Sequence, residues 1–528
     1  MEFLNGITPR EYQQKIFETC LIKNCLVVLP TGLGKTLIVL MLTIARMKLY
    51  PSQKVLFLAP TKPLAEQHLN YFKKYLPEMF AEMELFTGSV NAQNRKKIFQ
   101  NADIIFSTPQ CIANDIKHNL YNLNEVCLLI EDEAHRCVKN YDYNYIAQVY
   151  KVQSQNPRIV GLTASPGSEA RQIKQICQNL NIEEVELRTR SDSDVSKYLQ
   201  HLDFEKIQID FPIEFEEMKQ VLSKIFQIYV DELRSRRVLF GPASKTDLIK
   251  LQKTLSININ RGGGAHNFNN LLAASTCAQA IKIQHAIELL ETQTLESFNK
   301  YLKNLFEQAS KKQSKGVVKL VAKPEFNFIY SKSIELLTKN IEHPKIQKLI
   351  DIIKEEYSNN LKLKIIIFTQ FRETASIISK NLNTIIGIKS KVFVGQAKKN
   401  GLGMNQKEQK EMIEEFSSGK INVLCATSIA EEGLDIPEVS AVIFYESVPS
   451  AIRSIQRAGR TARLKPGKLI MLMTKRTRDE TFYYVSKRKE KSMHSAIDSI
   501  RQDLASGRFN SKDAQENKDK LEKQERLF

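Results

Sequence analysis

Short runs rich in Val, Ile and Leu recur along the first 190 residues, at 25–29, 54–59, 103–107, 126–131 and 158–162. Turn residues follow each run, and longer amphipathic stretches separate them. Consecutive apolar positions mark strands buried on both faces, with the amphipathic stretches as crossover helices. The alternation returns after residue 342, at 364–369, 391–394, 421–426, 441–445 and 468–473. Between the two regions the rhythm changes. "EEMKQVLSKIFQIYVDELRSRRVLF" has apolar residues three and four apart, with acids first and bases last as a helix dipole favours. "AASTCAQAIKIQHAIELLE" reads as a second helix, and "RGGGAHN" as a break. The pattern predicts an α/β chain with two mostly parallel sheets covered by helices and an all-α insert between them. The predicted boundaries are 1–200, 201–340 for the insert, 341–500, and a polar tail at 501–528 that frays.

Composition adds a partner. The 528 residues suit about three domains of roughly 100–200 residues each. The net charge of +18 favours a polyanion, nucleic acid ahead of membrane. Between 300 and 323 there are seven lysines and one acid, Glu307. This makes Lys311, Lys312 and Lys315 candidate phosphate contacts, although a solvated helix face accounts for them equally. The eight cysteines form no C-x-x-C pair and no cluster with metal spacing, as expected in a reducing compartment. No basic-then-apolar leader opens the chain and no apolar stretch reaches the length of a membrane span. The expected location is the cytoplasm, beside the nucleoid, or the nucleus if the cell has one.

Candidate chemistry starts at "LPTGLGKTLIV", between a predicted strand and a predicted helix. There Thr31, Gly32, Leu33 and Gly34 can curl so that backbone N–H groups face a phosphate at the helix amino end. Lys35 would reach the β- and γ-phosphates of ATP and Thr36 would hold Mg²⁺. Leu29 stands where the usual G-x-x-x-x-G-K-T pattern has its first glycine. About 95 residues on, an apolar strand ends in "LLIEDEAHR". Asp132 is placed to hold Mg²⁺ through water and Glu133 to polarise the attacking water, with Glu131 outside the chemistry. His135 is expected to couple this site to the second domain. "QRAGRTAR" at Gln456 spaces Arg457, Arg460 and Arg463 three apart, with Gly459 allowing close approach. Arginines that reach the γ-phosphate only when two domains close act as fingers.

The ordered set of motifs resembles superfamily 2 helicases, over residues 6–475. "PREYQ" is similar to the Q motif, so Arg10 and Gln13 are implied at the adenine. "APTKPLAEQ", "FTG", "STPQ" and "TAS" resemble motifs Ia, Ib, Ic and III. "IIFTQFRETA", "ATSIAEEGLDIPEV" and "QRAGRTAR" resemble motifs IV, V and VI. The resemblance implies tandem RecA-like folds with ATP between them. It places Gly433, Asp435 and Gln456 at the nucleotide. It nominates Thr61, Lys62, Thr87, Gly88, Thr108, Gln370, Gln396 and Thr427 as contacts to the nucleic-acid backbone.

Within that superfamily the second α/β region and "HPK" at His343 resemble the Hef/FANCM group of fork-remodelling DNA helicases. Single-stranded, forked or branched DNA is the implied partner. Archaeal Hef carries an XPF-like nuclease, whose G-D-x(n)-E-R-K pattern this sequence lacks, so a separate nuclease partner is expected. "QERLF" at 524–528 resembles a sliding-clamp peptide, and a frayed tail accounts for it as well. Two rivals stay open on the sequence: a duplex-RNA-stimulated ATPase of the RIG-I/Dicer type, and a non-catalytic scaffold that binds branched DNA and recruits a nuclease.

Overall fold

The computed structural model describes residues 6–88, 90–139, 141–261, 265–396, 403–430, 436–459, 461 and 466–506. Thirteen strands occur among them. The first seven are β1 (Cys25–Val28), β2 (Lys54–Leu58), β3 (Met83–Phe86), β4 (Ile104–Ser107), β5 (Val126–Asp132), β6 (Ile159–Thr163) and β7 (Glu184–Leu187). They form one sheet in the order β3-β4-β2-β5-β6-β1-β7, with parallel pairings throughout. The other six are β8 (Leu202–Ile209), β9 (Ile365–Phe368), β10 (Ser390–Phe393), β11 (Val423–Ala426), β12 (Ala441–Phe444) and β13 (Gly467–Thr474). They form a second parallel sheet in the order β10-β11-β9-β12-β13-β8. The central strands are buried on every residue, which is why they read as unbroken apolar runs.

Two boundaries differ from the sequence expectation. Residues 202–209 belong to the second sheet, where β8 pairs with β13 over eight residues, and not to the helical insert. Only partly buried and at the sheet edge, β8 lacks the apolar run that would have marked it. The C-terminal helix Arg478–Ala505 runs past residue 500. It leaves the second sheet and returns to the first domain, where Met493, Ala496, Ile497 and Ile500 join the core around Ile173, Ile176 and Val185. Arg501 Nε donates to the Val185 carbonyl at 2.7 Å. The two α/β domains are therefore strapped together at residues 188–201 and again by this helix.

The insert's helices, from Ile213–Ser235 to Pro324–Thr338, share their own apolar core. The insert docks on the second domain through buried polar groups. Gln293 Nε2 donates to Glu446 Oε2 at 3.4 Å, and Thr369 Oγ1 donates to Gln293 Oε1 at 3.4 Å. Lys345 forms a fully buried ion pair with Asp479 and donates to the Thr292 carbonyl at 3.1 Å. Buried ion pairs of this kind are costly to break by removing one partner. Among the described residues no helix is long and apolar enough to cross a membrane.

Candidate active site

The glycine-rich loop leaves β1 at the carboxyl edge of the first sheet, the usual ligand side of a parallel sheet. Gly32 and Gly34 have φ of 87° and 76°, values that disfavour any residue with a Cβ. Gly34 is the N-cap of the helix Lys35–Leu49. A Cβ on Gly34 would lie 2.4 Å from Gln13 Nε2. Lys35 Nζ donates to the Leu29 carbonyl at 2.8 Å, which holds the ammonium over the loop, and Thr36 follows in the first turn. Leu33 is buried and its carbonyl accepts from Tyr12 OH at 2.8 Å and from Gln13 Nε2 at 3.1 Å. Gln13 Oε1 accepts the Arg10 backbone N–H at 2.9 Å, while the Arg10 guanidinium sits 5.4 Å over the Tyr198 ring. Gln13 thus braces the loop from the inside.

Asp132 ends β5 and is buried. Its Oδ2 lies 2.9 Å from His68 Nε2. Burial by itself would raise this carboxyl, but the His68 imidazole and the Lys35 charge hold it below the ordinary carboxylate value. Glu133 takes φ 52° and ψ 47°, a left-handed conformation that turns its side chain away from that of Asp132. Its Oε2 lies 3.2 Å from His135 Nδ1, which also lies 3.2 Å from Thr163 Oγ1. Thr163 Oγ1 accepts the Ser165 N–H at 3.1 Å, and Ser165 Oγ donates to Met493 Sδ at 2.9 Å on the C-terminal helix. His135 therefore connects Glu133 to "TAS" and, two contacts on, to a helix continuous with the second domain. Glu131 points into the core, and burial pushes its carboxyl well above the usual range.

Among the described residues, the second domain comes up to the loop at Gly459. Gly459, just after the helix Ala451–Ala458, approaches Thr31 so closely that a Cβ there would stand 2.7 Å from Thr31 Cβ. Beside the contact lies a cavity of about 520 Å³, lined by Val28, Pro30 and Ala164 from one domain and Phe444, Ile455 and Ala458 from the other. Gln456 is buried, and so is Arg457. Arg457 lies 5.0 Å over the Phe368 ring and 5.5 Å over the Phe444 ring, inside the second domain. Helical rotation of about 100° per residue separates it from the cleft, so it is not a third finger. Arg460, Arg463, Gly433 and Asp435 lie outside the described residues.

Loops at the same carboxyl edges carry the nominated nucleic-acid contacts. Leu58, Phe86 and Ser107 stand level across β2, β3 and β4. Thr61 and Lys62, Thr87 and Gly88, and Thr108 leave the sheet just beyond that row. Thr61 is the N-cap of the helix Lys62–Tyr75, and Thr108 that of Pro109–Lys117. Thr61, Lys62 and Gly88 are exposed, Thr108 is half-buried and Thr87 buried. On the second sheet Phe368, Ala426 and Phe393 align, and Gln370, Thr427 and Gln396 follow them. Gln396 is exposed, Gln370 half-buried and Thr427 buried. Lys311, Lys312 and Lys315 are exposed where the helices Leu295–Ser310 and Lys315–Val321 of the insert join.

Three family models match the chain in order. They are "DEAD/DEAH box helicase" at residues 10–173, "Putative ATP-dependent RNA helicase, helical bundle" at 214–343, and "Helicase conserved C-terminal domain" at 344–465. The crystal structure of the Pyrococcus furiosus Hef helicase domain aligns with a TM-score of 0.70 and 41% identity, covering 92% of this chain and 100% of that one. This chain belongs to the Hef/FANCM helicase family.

Relatives with curated names include both RNA- and DNA-helicase names. A Methanocaldococcus jannaschii protein named "Putative ATP-dependent RNA helicase" is 38% identical, over 92% of this chain and 60% of its own length. "ATP-dependent DNA helicase fml1" of Schizosaccharomyces pombe is 30% identical over 89% of this chain and 57% of its own. "Fanconi anemia group M protein homolog" of Mus musculus is 30% identical over 94% of this chain and 26% of its own. The chain thus spans about a quarter to three-fifths of these relatives. Membership implies that this Hef/FANCM chain binds ATP. The residues also suit Mg²⁺. Among the described residues no group of three or more His, Cys, Asp or Glu is poised around an ion, and Mg²⁺ bound with nucleotide asks for only one or two carboxylates plus phosphate oxygens. Asp132 and the Thr36 hydroxyl would supply oxygen ligands of that kind. Two residues of this Hef/FANCM site escaped the sequence reading. His68 stands one position past "APTKPLAEQ", and its signal was a lone polar residue on the apolar stripe Leu64, Ala65, Leu69, Phe72. Tyr143, whose hydroxyl donates to the Asp132 carbonyl at 2.7 Å, had no sequence signal of its own.

Proposed function

We propose that the chain is an ATP-driven DNA helicase or translocase that acts on forked or branched DNA in replication-fork repair and recombination. The observation that carries this reading is the approach of Gly459 to Thr31, because it brings the segment leading into Arg460 to the phosphate loop. In the proposed cycle Lys35 and the loop N–H groups hold the triphosphate, Glu133 orients the attacking water, and Arg460 and Arg463 reach the γ-phosphate as the cleft shuts. Asp132 and Thr36 would hold Mg²⁺, which would supply positive charge against the charge that develops on the phosphates. Loss of the γ-phosphate releases the arginines and the cleft opens. Thr61, Lys62, Thr87, Gly88 and Thr108 grip the backbone from one domain, and Gln370, Gln396 and Thr427 from the other. Contacts to phosphate and sugar carry no sequence code, as a translocase needs.

The DNA reading is supported by the relatives named as DNA helicases, and the fork preference by the exposed lysines of the insert. A duplex-RNA-stimulated ATPase is the second reading, favoured by the RNA-helicase names of the bundle model and the Methanocaldococcus relative. A separate nuclease and a sliding clamp are proposed partners. The test is ATPase stimulation by single-stranded, duplex, forked and four-way DNA and by duplex RNA, with Glu133→Gln as the inactive control. The proposal expects forked or four-way DNA to stimulate most. Stimulation by RNA duplex alone supports the second reading. Normal turnover by Glu133→Gln rejects the assigned base.

A further inference from the structure

We propose that His68 is a positioning residue that ties the carboxylate of Asp132 to the nucleic-acid face of the first domain. The inference rests on the motor reading above. An ionised carboxylate only accepts hydrogen bonds, so His68 Nε2 carries the proton and donates to Asp132 Oδ2 over 2.9 Å. Both side chains are buried, with residue exposures of 7% and 5%. Water therefore cannot take the place of either partner cheaply.

What makes the pair more than a satisfied buried carboxylate is the element that carries the imidazole. His68 sits in the helix Lys62–Tyr75, whose exposed start holds the nominated contacts Thr61 and Lys62. At about 1.5 Å per residue, Lys62 and His68 stand roughly 9 Å apart along the axis. The ring is clamped as well. It packs 4.3 Å from the Phe57 ring, and Phe57 contacts both Phe72 of the same helix and Phe106 of β4. Phe57 in turn pairs with Ile130 on β5, the strand that ends at Asp132. A packed core of this density transmits a displacement rather than absorbing it. A shift of the helix when its first turn grips a phosphate backbone is therefore felt at His68, and through Nε2 at the carboxylate. The imidazole is the polar step between nucleic-acid contact and nucleotide site.

The test measures coupling, which simple packing would not change. Affinity of a fluorescent, non-hydrolysable mant-AMPPNP with Mg²⁺ is measured on the full chain with and without a 30-nucleotide single-stranded DNA. DNA affinity without nucleotide and thermal melting are recorded in parallel. The ratio of the two nucleotide affinities is the coupling factor, of the order of 5–150-fold in coupled systems. His68→Ala is expected to lower that factor at least fivefold while DNA affinity without nucleotide stays within about twofold. His68→Gln, whose amide can still donate, is expected to restore most of it. If His68→Ala does not fold, His68→Phe keeps the stack on Phe57 without the donor and is read the same way. A lower melting temperature with unchanged coupling overturns the inference and leaves the motor reading standing. Wild-type protein that shows no DNA-stimulated ATPase overturns both.

Discussion

Replacing Gly459 by alanine asks whether the two domains really work through their contact at Thr31. The new methyl would lie 2.7 Å from Thr31 Cβ and 3.3 Å from the Thr31 carbonyl oxygen. Carbon atoms at rest sit about 3.5–4.0 Å apart, so the seam must open by roughly 1 Å. Nothing else about the change is costly. Gly459 has φ −70° and ψ 6°, a conformation open to alanine, and it closes a helix whose stability alanine slightly favours. The damage is therefore confined to the interface, one residue ahead of Arg460. A misplacement of about 1 Å in a catalytic assembly costs on the order of 10²-fold in rate. Steady-state ATPase with saturating nucleic acid should show kcat falling by about that factor. Nucleotide affinity should change only a few-fold and the melting temperature should hold or rise. Wild-type kcat in Gly459→Ala would refute the view that this contact belongs to the hydrolysing geometry.

Two more expectations concern the insert and the second domain. Neutralising Lys311, Lys312 and Lys315 together should weaken binding of forked DNA more than of single strands and flatten its salt dependence, because each lost phosphate contact removes about one released counterion; equal losses on both substrates would reject a fork-holding role. Glu446 gives a pH signature. Burial raises its carboxyl from 4.5 to about 7, against the opposing pull of Arg457 and Lys345. The folded state thus prefers it protonated, so its stabilising bias is complete below the unfolded value and is lost as pH rises through about 7. At 1.36 kcal/mol per unit the bias is roughly 3 kcal/mol. Wild-type melting temperature should fall more steeply between pH 5 and pH 8 than that of Glu446→Gln, and superimposable profiles would contradict the burial argument.

The interior strands were legible because burial on both faces forces apolar side chains on consecutive positions. β1, β2, β5, β9, β11 and β12 announced themselves in this way. The strands that passed unread, β3, β7 and β8, are all edge strands. Each leaves part of its surface open, so "DFEKIQI" in β8 was grouped with the helical insert. The C-terminal helix was hidden differently. Only its end, past residue 500, was read with the polar tail, while the few apolar side chains that dock it on the first domain, Met493, Ala496, Ile497 and Ile500, are spread over eight positions.

Motif spacing reached the phosphate loop and the "DEAH" strand end because their chemistry is local in sequence. It did not reach His68, whose partner Asp132 is 64 residues away, nor the inward turn of Arg457. Three-residue spacing along "QRAGRTAR" suggested one helical face, whereas the rings of Phe368 and Phe444 hold Arg457 inside the second domain.

The central claim is that guanidinium groups from one domain complete an ATP site built on the other. Arg460→Ala tests it most directly, by nucleic-acid-stimulated ATPase beside equilibrium binding of a mant-nucleotide. Nucleotide binding should stay near normal while turnover falls by about 10³-fold or more, the size of effect an arginine finger supplies. Turnover within about twofold of wild type would contradict it.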